Sequence, residues 1–177
     1  MKKLRLVLLT MAMLSFATIS MAQTLITSTQ ASTKVILPKS GRVKGFVIRP
    51  EIGLGTDFDF ELLWINWGGT IAYQFNPRIS IGGGICWDFE DYTFRSSFVN
   101  LRAYLTDTYC SPYIDIKAGP TKNTYKDYWD FMASAMLGIQ CKGFDYGISI
   151  KYLDTFYEYW ICSLNFAYNF QLGKKNK

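Results

Sequence analysis

From Arg42 onward the chain alternates apolar and polar residues with a period of two. That feature constrains the fold most, because successive side chains of a β-strand point to opposite faces. In the first run Phe46, Ile48, Ile52 and Leu54 share one face and Gly45, Val47, Arg49, Glu51 and Gly53 the other. The pattern returns with Leu63, Ile65, Trp67, Ile71 and Phe75, with Ile79, Ile81, Ile85 and Trp87, and with Val99, Leu101 and Leu105. It continues through Ile114 and Ile116, through Phe131, Leu137 and Ile139, through Phe144, Ile148 and Ile150, and ends with Trp160, Cys162, Leu164 and Phe166. About eight strands follow, each near the ~10-residue length of a membrane-crossing strand. Asn76-Pro77-Arg78 and Lys142-Gly143 read as tight turns, and Asp88 to Ser97 and Gly119 to Asp130 as longer loops.

Alternation does not say which face is buried, since a soluble lipocalin-like barrel alternates too. The composition of the polar face decides. A water-facing surface should be rich in Lys and Glu, whereas this one is mainly Gly, Ser, Asn, Ala and Thr, with a few charges of both signs. Small side chains suit the lumen of a narrow barrel. The charges there, Arg49, Glu51, Arg102, Asp115, Lys117, Asp145 and Lys151, must pair, because an unpartnered buried charge costs several kcal/mol. The apolar face carries Trp, Tyr and Phe near strand ends, as in the aromatic girdles of membrane barrels. Aromatics make up 17% of the chain and charged residues 19%, a balance poor in charge for a soluble domain. The expected fold is therefore all-β: a closed antiparallel up-and-down transmembrane β-barrel of about eight strands over residues 42–172. An even strand number puts both termini on one side, with short turns facing the periplasm.

The start of the chain fits that compartment. Met1-Lys2-Lys3-Leu4-Arg5 is basic, Leu6 to Ser20 is apolar, and Ser20-Met21-Ala22 supplies small residues before Gln23. This is the order of a cleaved signal peptide, expected over residues 1–22. A Ser/Thr/Gln-rich stretch, 23–41, reads as a flexible periplasmic segment and 173–177 as a basic tail. The chain has 19 Lys and Arg against 14 Asp and Glu. Without Lys2, Lys3 and Arg5 the net charge falls from +5 to +2, and no nucleic-acid footprint is left.

No histidine is present, which removes Ser-His-Asp and Cys-His catalysis and His-based metal sites. The expectation is no enzyme, no cofactor and no metal. Asp88 and Glu90 are a nominal carboxylate pair, yet neighbouring acids on a loop rim are far more often solvated. Of the four cysteines, Cys86 is assigned to the lumen, Cys110 to a periplasmic turn, and Cys141 and Cys162 to the lipid face. They read as small buried residues rather than a disulfide framework. Gly82-Gly83-Gly84 lies within a strand and suits close packing more than a phosphate loop.

Acidic residues gather at the expected outer end: Asp57, Asp59, Glu61, Asp88, Glu90, Asp91, Asp127, Asp130, Asp154 and Glu158, joined only by Arg95, Lys122 and Lys126. Solvated loops explain this most simply; a crown of divalent cations bridging to lipopolysaccharide is the sharper alternative. Asp57, Asp59, Glu61 and Asp91, with the aromatics Tyr125, Tyr128 and Trp129, are the candidate loop contacts.

The segments Arg49-Pro50-Glu51-Ile52-Gly53-Leu54-Gly55, Ser80-Ile81-Gly82-Gly83-Gly84, Val99-Asn100-Leu101-Arg102-Ala103-Tyr104-Leu105 and Pro112-Tyr113-Ile114-Asp115 resemble the small outer-membrane β-barrel domain group abundant in Bacteroides-like bacteria. The resemblance implies an outer-membrane location, with outer-membrane lipids, lipopolysaccharide and the barrel assembly machinery as partners, and no single activity. Such barrels often end in an aromatic assembly signal; Phe166, Tyr168 and Phe170 supply the alternation, and Gln171 to Lys177 extend past it. The leading expectation is a porin-like, non-enzymatic cell-surface barrel, structural or interacting through its acidic loops. The alternative is a binder or narrow transporter of a small apolar molecule, in the membrane or as a soluble periplasmic carrier. A cavity bounded by Trp64, Phe98 and Tyr104 favours the alternative; a lumen closed by Arg and Asp pairs opposes it.

Overall fold

A computed structural model describes residues 41–58, 62–89, 93–124, 129–154 and 158–172. The strands are β1 (Gly45–Asp57), β2 (Leu63–Asn76), β3 (Ile79–Phe89), β4 (Thr93–Tyr104), β5 (Cys110–Asn123), β6 (Trp129–Cys141), β7 (Phe144–Asp154) and β8 (Tyr159–Tyr168), followed by the two-residue β9 (Phe170–Gln171). Each of the first seven pairs antiparallel with the next, and β8 returns to pair with β1. The result is a closed up-and-down barrel of eight strands. β9 continues β8 along β1. Between them the ladder lapses beside Arg49 and Pro50, where Pro50 has no N–H to offer.

Closure fixes the geometry. Following paired residues around the barrel from Gly45 leads through Gln74, Ser80, Arg102, Asp115, Met136, Ser149 and Ser163 to Gly55, ten residues further along β1. A displacement of that size over eight strands tilts them by about 40° to the barrel axis.

Local chemistry sets the turns at one end. Asn76 Oδ1 accepts from the N–H groups of Arg78 and Ile79 at 2.8 and 3.0 Å, closing the β2–β3 turn. Lys142 and Gly143 take φ of 55° and 89°, the paired positive angles of a two-residue hairpin turn whose twist matches its strands.

At the other end the strands run further than the sequence suggests. Asp88 and Phe89 finish β3, Thr93 already begins β4, β5 reaches Asn123, and Trp129 opens β6. Asp88 to Ser97 and Gly119 to Asp130 are therefore mostly strand, correcting their reading as long loops. The physical reason is a change in the interior. Here Trp64, Phe94, Phe98 and Met132 point inward while Thr93, Arg95 and Ser97 point outward, so the hydrophobic phase reverses although the strand continues.

Below that point the faces divide as the alternation predicts. Ile71, Val99 and Leu137 are 60%, 66% and 66% exposed on the outside, whereas Arg49 and Arg102 are fully buried inside. Edge-on aromatic pairs ring the exterior at the turn end: Phe46–Tyr73, Tyr146–Phe166 and Tyr168–Phe170. The stacked pair Trp67–Trp87 and the tilted pair Tyr152–Trp160 lie on the exterior toward the loop end. Inward glycines make room for rings: Gly138 faces Tyr113 across the β5–β6 ladder, and a Cβ there would lie 2.5 Å from the Tyr113 ring.

The cysteine reading needs correction. Cys110 is not in a turn but opens β5 directly opposite Cys141, and the two form a disulfide. The register of a single hairpin brings them together. Cys86 and Cys162 are free thiols.

Candidate functional site

The candidate site is the lumen, which is filled in layers. At the turn end Arg42, just before β1, spans the mouth. It donates from Nε to the carbonyl of Pro77 at 2.8 Å, from Nη1 to Gln140 Oε1 at 3.0 Å and from Nη2 to the carbonyl of Thr106 at 2.7 Å. Its guanidinium lies 4.0 Å from the centre of the Tyr104 ring. Burial pulls its pKa below the usual arginine value.

Above it, β1, β4, β5 and β7 bring together two arginines and two aspartates. Arg102 Nε donates to Asp115 at 2.6 Å, and its Nη1 bonds Asp145. Arg49 lies 3.6 Å from both carboxylates. Asn100 donates to Asp115 and Asn169 to Asp145, each at 2.7 Å. The Tyr113 ring lies 4.0 Å from the Arg102 guanidinium. The four charges cancel, and the amides fill acceptor positions the arginines leave, which is how buried charge is tolerated.

In the middle Lys117 contacts both Glu51 oxygens at 2.5 and 2.6 Å, with Thr70 donating to Glu51 at 3.4 Å. Lys151 lies 2.5 Å from Asp88 and 3.5 Å from Cys86 Sγ. Between these pairs lies a cavity of about 20 Å³, lined by Glu51, Asn66, Lys117, Ser149, Lys151 and Asn165 among others. That is room for about one water molecule. The loop end is closed by the apolar cluster of Trp64, Phe94, Phe98, Met132, Leu153 and Ile161.

All seven residues assigned to the lumen from the sequence therefore lie inside the barrel, each with an ion partner. Their pairing differs in one respect. Lys151 is matched by Asp88, which is 1% exposed and not a solvated loop acid as expected. Its place on the polar face of the third run, beside Ser80 and Gly84, was the signal for this. Of the candidate loop contacts, Asp57 ends β1 and accepts from the Leu62 N–H at 3.2 Å, and Trp129 belongs to β6. Asp59, Glu61, Asp91, Tyr125 and Tyr128 lie outside the described residues. Trp64 and Phe98 pack in the loop-end cluster and Tyr104 in a separate one with Tyr113 and Met136, so the three do not bound a common cavity. Among the described residues no three Cys, Asp or Glu side chains are grouped to hold a metal ion.

No protein-family model and no curated protein matches the chain. Solved structures do. The outer membrane enzyme PagL superposes with a TM-score of 0.54 at 9% identity, over 70% of this chain and 99% of that one. The N-terminal β-barrel domain of OprF from Pseudomonas aeruginosa gives 0.53 at 13%, over 72% and 100%. A structure from the de novo design of transmembrane β-barrels gives 0.51 at 16%, over 73% and 98%. What these three share with the present chain is the fold, the closed antiparallel barrel of eight strands.

Proposed function

We propose that the protein is an integral outer-membrane β-barrel, non-enzymatic, with a structural or surface-interacting role, of the small-barrel group that its strand motifs resemble. The observation that carries this reading is the polarity of the wall. Four charged side chains of the turn-end layer are at most 2% exposed inside, while Ile52, Leu54, Ile71, Val99, Ile116 and Leu137 stand half exposed or more outside. In water each such side chain would forgo about 1–2 kcal/mol of burial, half to two-thirds of the value for a full side chain; hydrocarbon removes that penalty. The eight barrel strands, 10 to 14 residues long, match or exceed the ~9–11 that a tilted crossing requires.

The sealed lumen supports a structural role over transport, because a cavity holding about one water passes no solute. The missing histidines support a non-enzymatic reading. Electrophoresis of the outer-membrane fraction, with and without boiling, tests the proposal. A band in that fraction that migrates differently after boiling is expected. Recovery as a soluble periplasmic protein with no such shift would overturn it in favour of a lipocalin-like carrier.

A further inference from the structure

Two ion pairs cross the middle of the lumen. Glu51 on β1 meets Lys117 on β5, and Asp88 on β3 meets Lys151 on β7. In a closed ring of eight these are opposite strands, so the pairs span the barrel a quarter turn apart. Among the described residues no ion contact or hydrogen bond joins one pair to the other. The cavity of about 20 Å³ lies between them, and each of the eight strands contributes to its lining.

That lining carries bonding capacity the protein itself does not use. Asn66 and Ser134 are 5% and 9% exposed, yet among the described residues neither side chain makes a hydrogen bond. The Asn66 amide is turned inward beside Gly53, its partner on β1; a Cβ on that glycine would lie 2.7 Å from both the amide oxygen and the amide nitrogen. An ammonium group has three protons. Lys117 directs two at the Glu51 oxygens, and Lys151 directs two at Asp88 and Cys86 Sγ. One proton is left on each lysine. Two ammonium donors, a carboxamide and a hydroxyl thus border one small enclosed space.

We propose that this mid-lumen cavity is a binding site for a single water molecule, which accepts from Lys117 and Lys151 and donates to Asn66 and Ser134. The inference rests on the sealed lumen described above. Cavities that stay dry are apolar, whereas one of this size with two to four polar partners holds water. An ion does not fit. The charges of Glu51, Lys117, Asp88 and Lys151 already cancel, so a further anion or cation would stand uncompensated in a buried place. A neutral molecule larger than water exceeds the volume. Bridged in this way, the two ion pairs become one network that ties β1, β2, β3, β5, β6 and β7 together across the lumen, and each pair supports the geometry of the other. With the charged layer on one side and the apolar cluster on the other, the water is enclosed at both ends.

The test is a crystal structure of the purified full-length barrel in detergent, wild type and N66L, at a resolution that shows ordered water. Leucine keeps nearly the shape of asparagine and removes both amide groups. One density peak within hydrogen-bonding distance of Lys117, Lys151 and Asn66 is expected in the wild type, and its loss is expected in N66L. An empty cavity in the wild type overturns the site. So does a peak that stays in place in N66L, because Asn66 would then not be a partner. Crystals grown with bromide in place of chloride separate water from a halide: an anomalous signal at the peak would mark an anion and overturn the proposal. A file of waters running the length of the lumen defeats the sealed-lumen reading itself; an empty cavity in a sealed barrel defeats the water site alone. Should N66L fail to fold, the wild-type density and the bromide crystals decide the matter by themselves.

Discussion

At the turn end of the lumen the space between the strands is occupied by Arg49, Arg102, Asp115 and Asp145, and at the loop end by Trp64, Phe94, Phe98, Met132, Leu153 and Ile161. Both ends are closed, by opposite chemistry. The apolar end is held by contacts that tolerate rearrangement, since hydrophobic burial has no direction. The charged end tolerates little: each ion was stripped of water and is compensated only if its partners sit at bonding distance. Arg49 and Arg102 each still leave Nη2 without a partner, so donors in the layer already outnumber the acceptors within reach. The contrast teaches that the charged layer contributes mainly registry. Its members come from four strands, and only the observed closure brings them together.

Breaking the layer asymmetrically should have the largest effect. Arg102→Met leaves two buried carboxylates facing one arginine and should lower the unfolding free energy by about 3–5 kcal/mol, read by urea unfolding in lipid vesicles with tryptophan fluorescence. The double variant Arg102→Met/Asp115→Leu restores the balance through Arg49 and Asp145 and should be more stable than the single one. If the double variant is the worse of the two, the layer is not held by charge balance.

Ile116→Arg places a charge on the apolar exterior midway along β5 and should cost about 2–4 kcal/mol in vesicles. An unchanged stability there would contradict the assignment of inside and outside. The loop end should respond more mildly. Met132→Ala enlarges the small cavity that Met132 already lines and should cost about 2–3 kcal/mol, with no conductance in a planar bilayer, because the charged layer still blocks the path. Channel openings in that variant would show that the apolar cluster alone is the seal. The smallest effect is expected where the β5–β6 ladder already holds the elements together. Cys110→Ser/Cys141→Ser should cost about 2 kcal/mol, and the barrel should keep its heat-dependent migration.

The sequence showed which side chains enter the lumen wherever the interior is polar, since Arg49, Asn100, Asp115 and Lys151 each interrupt an apolar run at period two. It failed where the interior turns apolar. Phe94 and Phe98 follow the same geometric period, but flanking Arg95 and Ser97 reverse its hydrophobic sign, so the ends of β4 and β5 read as loops. The Cys110–Cys141 bridge was hidden for a related reason: with the loop boundaries placed too early, the hairpin register that aligns the two cysteines could not be counted.

By itself, then, the sequence determined the strand count, the alternation of faces and the identity of most of the buried charges, Asp88 excepted, because all three depend on residues within one strand and its turn. Only the tertiary structure decided the partners. That Lys151 meets Asp88 across the lumen, that Glu51 meets Lys117, and that Arg95 and Lys122 stand side by side follow from hydrogen-bond register accumulated over successive seams and from a closure displaced by ten residues. A one-residue slip at any seam would exchange inside for outside, and no single strand carries that information.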